Sequence, residues 1–332
     1  MKKLINRPDR VVSDMLAGMA LSYPDRLRHL EGTGVIVRRD APVTGKVGLV
    51  SGGGSGHEPA HAGFVGTGML DAAVAGEVFT SPTPDQILEA IKAVDSGQGV
   101  LCIVKNYTGD VLNFEMAAEM AAAEGIDVDH VVVNDDVAVE DSTHTTGRRG
   151  IAGTVFVHKV AGARAQAGGT LHEVKQAAQT VIQNVRSMGV ALTPCTLPEA
   201  GKPGFTLGEN EIEIGIGIHG EPGVERTKVR TAADVTTVLA DKVLSDLPFQ
   251  PGDRVAVMVN GMGATPLMEL NVVGKELHAI LKEKRIEVVD TWIGEFMTSL
   301  DMAGCSITLL KMTDDTEKWL SAPADTVAVR RY

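Results

Sequence analysis

Three times along this chain a short apolar run leads into a glycine-bearing loop and then a helix-like stretch. Val47-Gly48-Leu49-Val50 runs into SGGGSGHEP and a segment at 60–65; Val100-Leu101-Cys102-Ile103-Val104 runs into KNYTGD and VLNFEMAAEMAAAEG; Arg254-Val255-Ala256-Val257-Met258-Val259 runs into NGMGATP and LMELNVVGKELHAILKEKR. Strands that alternate with helices predict α/β layers. Open α/β sheets bind ligands at the carboxyl ends of their strands, so these three loops are where function is expected. The Ala-, Glu- and Met-rich stretch that stops at Gly125 reads as a helix with a glycine end signal. Residues 130–133 and 155–157 read as two further strands.

A different pattern occupies residues 211–223, EIEIGIGIHGEPG. Ile212, Ile214, Ile216 and Ile218 share one parity, and Glu211, Glu213, Gly215, Gly217 and His219 share the other. Alternation at period two predicts a half-buried strand with its isoleucines toward a core. The opposite face thins from carboxylates to glycines and ends in one imidazole before a Gly-Glu-Pro-Gly turn. A lone histidine is ordinarily a satisfied core residue; the cleared glycine face and the position at a strand terminus stand against that reading.

A length of 332 residues favours two domains, and 44% hydrophobic with 22% charged residues is an ordinary globular balance. A net charge of −12 without any Lys/Arg run argues against nucleic acid or an anionic membrane as partner. Cys102, Cys195 and Cys305 are isolated and form no C-x-x-C pair, so a reduced, cytoplasmic setting is expected. MKKLINRPDR has two lysines but no apolar stretch behind them, and nothing reaches the ~18 apolar residues of a membrane span. The Pro- and Gly-dense stretch 193–210 reads as a linker, which sets the expected division at 1–185 and 186–332, the last residues being free to pack back on the first domain.

HEPAH, His57 to His61, matches the H-E-x-x-H zinc pattern, which works only when both histidines lie one turn apart on one helix. Pro59 fits better at the first helical position, which leaves His57 in the loop and His61 on the helix, so no metal is expected. SGGGSG fits neither the Walker A loop nor the dinucleotide fingerprint nor the nucleophile elbow, since His57 stands where each of the last two requires glycine. It remains a loop that brings backbone N–H groups close to something small and rich in oxygen. Asp110 reads either as a helix N-cap or as a functional carboxylate. Lys105 reads either as a solvated strand end or as part of a site. Arg148 and Arg149 read as anion ligands or as a helix cap. His29, His130, His144, His158, His172 and His278 show no partner pattern and read as surface or structural.

Together SGGGSGHEP, KNYTGDVLNFE, GRRG, AGKPGFTL, IGIHGEPG, NGMGATPL and TSLDMAGCSITLLK resemble, in order and over nearly the whole chain, the substrate-binding K subunits of dihydroxyacetone kinases. That resemblance implies two α/β domains with mixed sheets flanked by helices, a homodimer, and an active site at loops between the domains. It implies that His219 holds dihydroxyacetone covalently, a ring nitrogen adding to the ketone carbon to give a hemiaminal. Glycines at 215 and 217 then leave room for the ketone to approach the ring. It further implies that Gly53 and Gly54 give backbone contacts to the substrate, with Lys105 nearby. His57 hydrogen-bonds the triose and steers the addition, and Asp110 takes the proton of the attacking hydroxyl.

The family's helical nucleotide domain has no counterpart in this sequence. The resemblance therefore implies no cofactor on this chain: ADP or ATP with magnesium is expected on a separate L subunit, recharged by a phosphotransferase-system M subunit or acting as an ATP user. Two related readings carry the same motifs. One is a regulatory paralogue that binds the triose as a transcription co-activator; the other is a kinase subunit for a related keto-sugar such as erythrulose. A carbonyl-binding protein without phosphoryl transfer is a third, and intact Asp110 and His57 favour the kinase over it.

Overall fold

The computed structural model describes residues 2–139 and 147–332; His144 lies outside them. The chain groups into two compact units that interleave in sequence. Lys2–Val133, Val155–Val181 and Asp315–Tyr332 form one, and Asn134–Thr154 with Ile182–Asp314 form the other. The expected single cut at 185/186 is thus replaced by four crossings. Segment 134–154 is held in the second unit by Asp135, whose carboxylate accepts from the Ile151 and Gly153 N–H groups at 2.8 Å each. The Val137 N–H donates to the Ser187 carbonyl in the same unit. The stretch 193–210 is an irregular loop inside that unit, not a linker between units.

The triose-kinase resemblance and the strand–helix alternation both predict α/β architecture, and each unit has it. In the first unit a six-stranded sheet runs Leu27–His29, Val35–Arg38, Ala72–Val78, Gly48–Ser55, Val100–Lys105, Val128–Val133. The last four strands are mutually parallel. Such strands are covered on both faces and read as continuous apolar runs, as Val100 to Val104 does. On one face Val50, Val74, Val100, Cys102 and Val104 pack against helices Pro84–Val94 and Thr108–Ala123, through Ile87, Ile91, Phe114 and Ala117. A separate three-stranded sheet joins Arg330–Arg331, Ala324–Thr326 and Gly66–Thr67.

The second unit carries a mixed sheet ordered Glu225–Lys228, Glu211–Ile214, Val185–Ala191, Gly304–Lys311, Arg254–Gly261, Glu287–Gly294. Helices Ala232–Asp246 and Leu267–Glu283 bury Leu239, Val243, Leu270 and Leu277 against Val255, Val257, Ile307 and Leu309.

Three local expectations change. Residues 155–157 belong to the helix Thr154–Gln166, not to a strand. Val155, Phe156 and Val157 are all fully buried, and a short run that is apolar on every side carries no period to tell helix from strand. No α-helix follows the glycine loop: Ala62–Phe64 is one 3-10 turn, and Pro59 lies in the turn before it. The isoleucine strand stops at Ile214, because Gly215 takes φ +80°, although Ile216 and Ile218 stay buried.

Ahead of strand Ala72–Val78, Asp71 is buried with Lys46 and Arg38, which are themselves buried. Its carboxylate accepts from the Leu49 N–H at 2.8 Å, from Arg38 Nη1 at 3.2 Å and from Lys46 Nζ. Replacing Asp71 by Asn takes the carboxylate partner from buried Lys46, while Arg38 keeps its fork onto Asp40 at 2.9 and 2.8 Å. Denaturant unfolding should show a loss of about 3–5 kcal/mol, the scale for breaking a buried ion pair; a loss below ~1 kcal/mol would mean the cluster is solvated well enough not to need Asp71.

Candidate active site

The glycine stretch is itself strand. Gly48–Ser55 pairs with Val100–Lys105 from Gly48 to Ser51, and Gly52–Ser55 go on pairing with Ala72–Val78. Close approach explains the residue type. A Cβ on Gly52 would stand 2.4 Å from the Val74 carbonyl oxygen, and one on Gly54 would stand 2.7 Å from the Phe79 Cα. Gly53 has φ +155°, and a Cβ there would lie 3.1 Å from Lys105 Nζ and 3.4 Å from Asp110 Oδ2. The missing side chain at Gly53 therefore faces an ammonium and a carboxylate at the carboxyl ends of parallel strands, where α/β sheets bind ligands.

Lys105 is fully buried at the end of its strand, so the solvated reading falls. Its Nζ lies 5.2 Å from the centroid of the Tyr107 ring. Asp110 is 3% exposed and sits in the first turn of Thr108–Ala123, where the N-cap is Tyr107 without a side-chain cap bond. The N-cap reading of Asp110 falls with it. Ser81 Oγ donates to Asp110 Oδ1 at 2.5 Å, which fixes that carboxylate from a neighbouring loop.

His57 is fully buried and stacks on Phe79, with ring centroids 5.1 Å apart and 16° between planes. Phe79 has φ +58°, a strained conformation for a bulky residue of the kind that clusters at functional sites. The second histidine of HEPAH turns elsewhere: His61 Nδ1 lies 2.9 Å from His158 Nε2 and 3.4 Å from Ser51 Oγ. The two histidines of HEPAH share no helix. Among the described residues, no group of three or more His, Cys, Asp or Glu is placed to hold a metal ion.

In the second unit, His219 follows buried Ile218. Its Nδ1 lies 2.8 Å from Glu221 Oε1, and its backbone N–H donates to Glu221 Oε2 at 2.9 Å. Burial alone would raise the Glu221 carboxyl; the hydrogen bond from the His219 ring, the pull of that ring when it is protonated, and Arg149 beyond outweigh it and hold the group down to about 2. The glycines have a different reason from the expected one. A Cβ on Gly217 would come 2.6 Å from Arg149 Nη1 and would overlap the Glu221 carboxylate. The space at Gly217 is filled by the protein's own charged groups, whereas a Cβ on Gly215 would meet the side chains of Ala138, Val224 and Met188.

Gly53, Lys105 and Asp110 are thus brought together within the first unit, Gly54 serves the close packing of residues 79–80, and His57 is aligned by Phe79. Both arginines of GRRG pair with the protein's own carboxylates. Arg148 makes a forked pair with Asp246 at 2.8 and 2.5 Å. Arg149 joins Asp136, by Nε at 2.8 Å, to the Gly215 carbonyl, by Nη2 at 2.8 Å. Ser81, Glu221 and the His61–His158 pair carry no pattern of their own in the sequence; Glu221 alone was within reach, as the one acid in the turn after His219.

The Dak1 domain model matches residues 17–328. The chain is 58% identical over 331 residues to the dihydroxyacetone-binding subunit of PTS-dependent dihydroxyacetone kinase 1 from Listeria innocua, covering 99% of this chain and all of the relative. Its fold is similar to that of a dihydroxyacetone kinase operon co-activator, with a TM-score of 0.91 at 37% identity over 96% of this chain and 98% of the other. It is similar also to the C. freundii dihydroxyacetone kinase in complex with AMP-PNP and Mg2+, with a TM-score of 0.90 at 39% identity over 99% of this chain and 61% of that longer one.

The buried histidine pair makes stability depend on pH. Burial, then the Lys105 charge, holds His158 down to about 3, and burial with the neighbouring His158, Lys105 and His57 holds His61 well below its ordinary range. An unfolded histidine takes up a proton near pH ~6.5. Below that value the unfolded chain binds protons that the folded chain refuses, so stability falls with falling pH, by about 1.4 kcal/mol per unit for each such group. His158→Gln should flatten the decline in unfolding free energy between pH ~6.5 and ~5 by about 1–2 kcal/mol. A slope equal to the unmodified chain's would show that His158 is protonated in the fold.

Proposed function

We propose a function from the premise that this chain belongs to the Dak1 domain family: it is the dihydroxyacetone-binding subunit of a dihydroxyacetone kinase, an enzyme that transfers a phosphoryl group to an alcohol. The observation that carries the reading is the convergence of Gly53, Lys105 and Asp110 at the strand ends, with Ser81 fixing the carboxylate.

In this reading the triose is captured on His219 as a hemiaminal, which selects a ketone over a simple polyol such as glycerol. Covalent capture also removes much of the entropic cost of orienting a small flexible substrate. Backbone groups of Gly53 and Gly54 contact its oxygens, Lys105 places positive charge beside them, and His57 hydrogen-bonds the triose during addition. Asp110 takes the proton from the terminal hydroxyl as that oxygen attacks phosphorus, a reaction that rests mainly on positioning and charge stabilisation.

The phosphoryl group arrives from nucleotide held with magnesium on a separate L subunit, with a phosphotransferase-system protein behind it. The subunit works as a homodimer in the cytoplasm. The close match to a co-activator structure supports a second reading, in which the same fold binds triose and regulates transcription. A buried, hydroxyl-anchored Asp110 favours the kinase.

Asp110→Asn separates the two. The amide keeps the shape and the Ser81 contact but cannot accept the proton. It should retain triose binding and lose about 10²–10⁴-fold in phosphoryl transfer with an L partner, the usual worth of a positioned base. Turnover near that of the unmodified chain would refute the base. Triose binding by the unmodified chain with no turnover beside any L partner would favour the regulator.

A further inference from the structure

The turn after His219 does more than reverse the chain. The Gly217 N–H donates to the Glu221 carbonyl at 3.1 Å, and the Gly220 N–H donates to the Gly217 carbonyl at 3.1 Å, so Glu221 folds back over the residue that precedes the turn. Both of its carboxylate oxygens then meet His219, one at Nδ1 and one at the backbone N–H. An ionised carboxylate only accepts hydrogen bonds, so the ring nitrogen facing it must carry the proton. The in-plane lone pair of the neutral ring then sits on Nε2.

We propose that Glu221 is the positioning residue of His219: it holds the ring, fixes the proton on Nδ1 so that Nε2 is the nucleophile, and stabilises the cation that addition creates, with the Arg149 charge nearby. This rests on reading His219 as the residue that captures the ketone. The Nε2 lone pair forms the carbon–nitrogen bond, the carbonyl π pair moves onto oxygen, and that oxygen takes a proton from water. The ring, now bonded to carbon at Nε2 and still protonated at Nδ1, keeps one positive charge against the Glu221 carboxylate, so the adduct forms with net uptake of the one proton that the oxygen took from water. Before addition the contact pairs an anion with a neutral ring; after it, an anion with a cation. The interaction strengthens along the reaction, which is the condition for an interaction to favour the step.

Arg149 completes the device. Its guanidinium is itself held by Asp136 and the Gly215 carbonyl, and Gly217 is bare where a side chain would strike both Arg149 and Glu221. Charge on Glu221 is thereby kept in a half-buried place, consistent with its lowered pKa.

The test begins with the unmodified chain, which no substitution can unfold. With ¹⁵N-labelled histidine, long-range proton–nitrogen spectra at neutral pH without substrate should show His219 protonated at Nδ1 and bare at Nε2; a proton on Nε2 would overturn the proposal. Glu221→Gln should then shift this tautomer balance and weaken dihydroxyacetone capture about tenfold to a hundredfold, the scale of one hydrogen bond to a charged group. Single-turnover phosphoryl transfer from the adduct, once formed, should change little. If Glu221→Gln captures the triose as fast and as tightly as the unmodified chain, the positioning role is wrong while the capture on His219 stands. If the unmodified chain forms no carbon–nitrogen bond, the reading of His219 fails and takes this role with it.

Discussion

Close approach of one backbone to another, allowed by missing side chains, is the constraint on which the rest of the first unit depends. At Gly52 and Gly54 the neighbouring chain already occupies the place of a Cβ, so no other residue fits without moving strand Ala72–Val78 or residues 79–80. That packing places Gly53 between neighbours fixed by their own contacts, and leaves its open side toward Lys105 and Asp110. The strained Phe79 belongs to the same arrangement, since its backbone seals Gly54 and its ring aligns His57. The glycines are best understood as space that the fold requires, and the polar groups as what that space is kept for.

Buried charge is the second theme. Lys105 is out of water beside a buried carboxylate, an arrangement that costs desolvation energy unless charge and hydrogen bonds offset it. Its positive field reaches His61 and His158 and helps keep both neutral, so the histidines behind the sheet serve as uncharged packing around a charged centre. In the second unit the roles are exchanged: Asp136, which burial pushes up to about 6 against the pull of Arg149, anchors an arginine that in turn lies beside the Glu221–His219 pair. Each unit thus holds the groups of its candidate site through partners that are themselves held.

Much of this was legible in the sequence, and the misses have physical causes. The parallel strands and the long helices could be read because their patterns are continuous: the strand Val100–Lys105 and the helix Thr108–Ala123 follow directly from apolar runs and helix formers. Residues 155–157 failed because full burial erases periodicity. The glycine stretch read as a loop because glycine has no strand propensity to reveal; its extended form is imposed by Val74 across the ladder. His219 stood out through its bare flank, but the flank's occupants, Glu221 and Arg149, come from a turn and from a distant segment that only folding brings in. Arg149 and Asp136 are 13 positions apart, and no local pattern encodes their pairing.

In the proposed function a ring nitrogen of His219 becomes bonded to the ketone carbon of the triose. Dihydroxyacetone labelled with ¹³C at its central carbon, mixed with chain labelled with ¹⁵N in histidine, reports that bond directly. Capture on His219 gives a one-bond carbon–nitrogen coupling at the labelled carbon, lost in His219→Ala. Saturable binding of the triose without any such coupling, or a coupling that survives in His219→Ala, would contradict it.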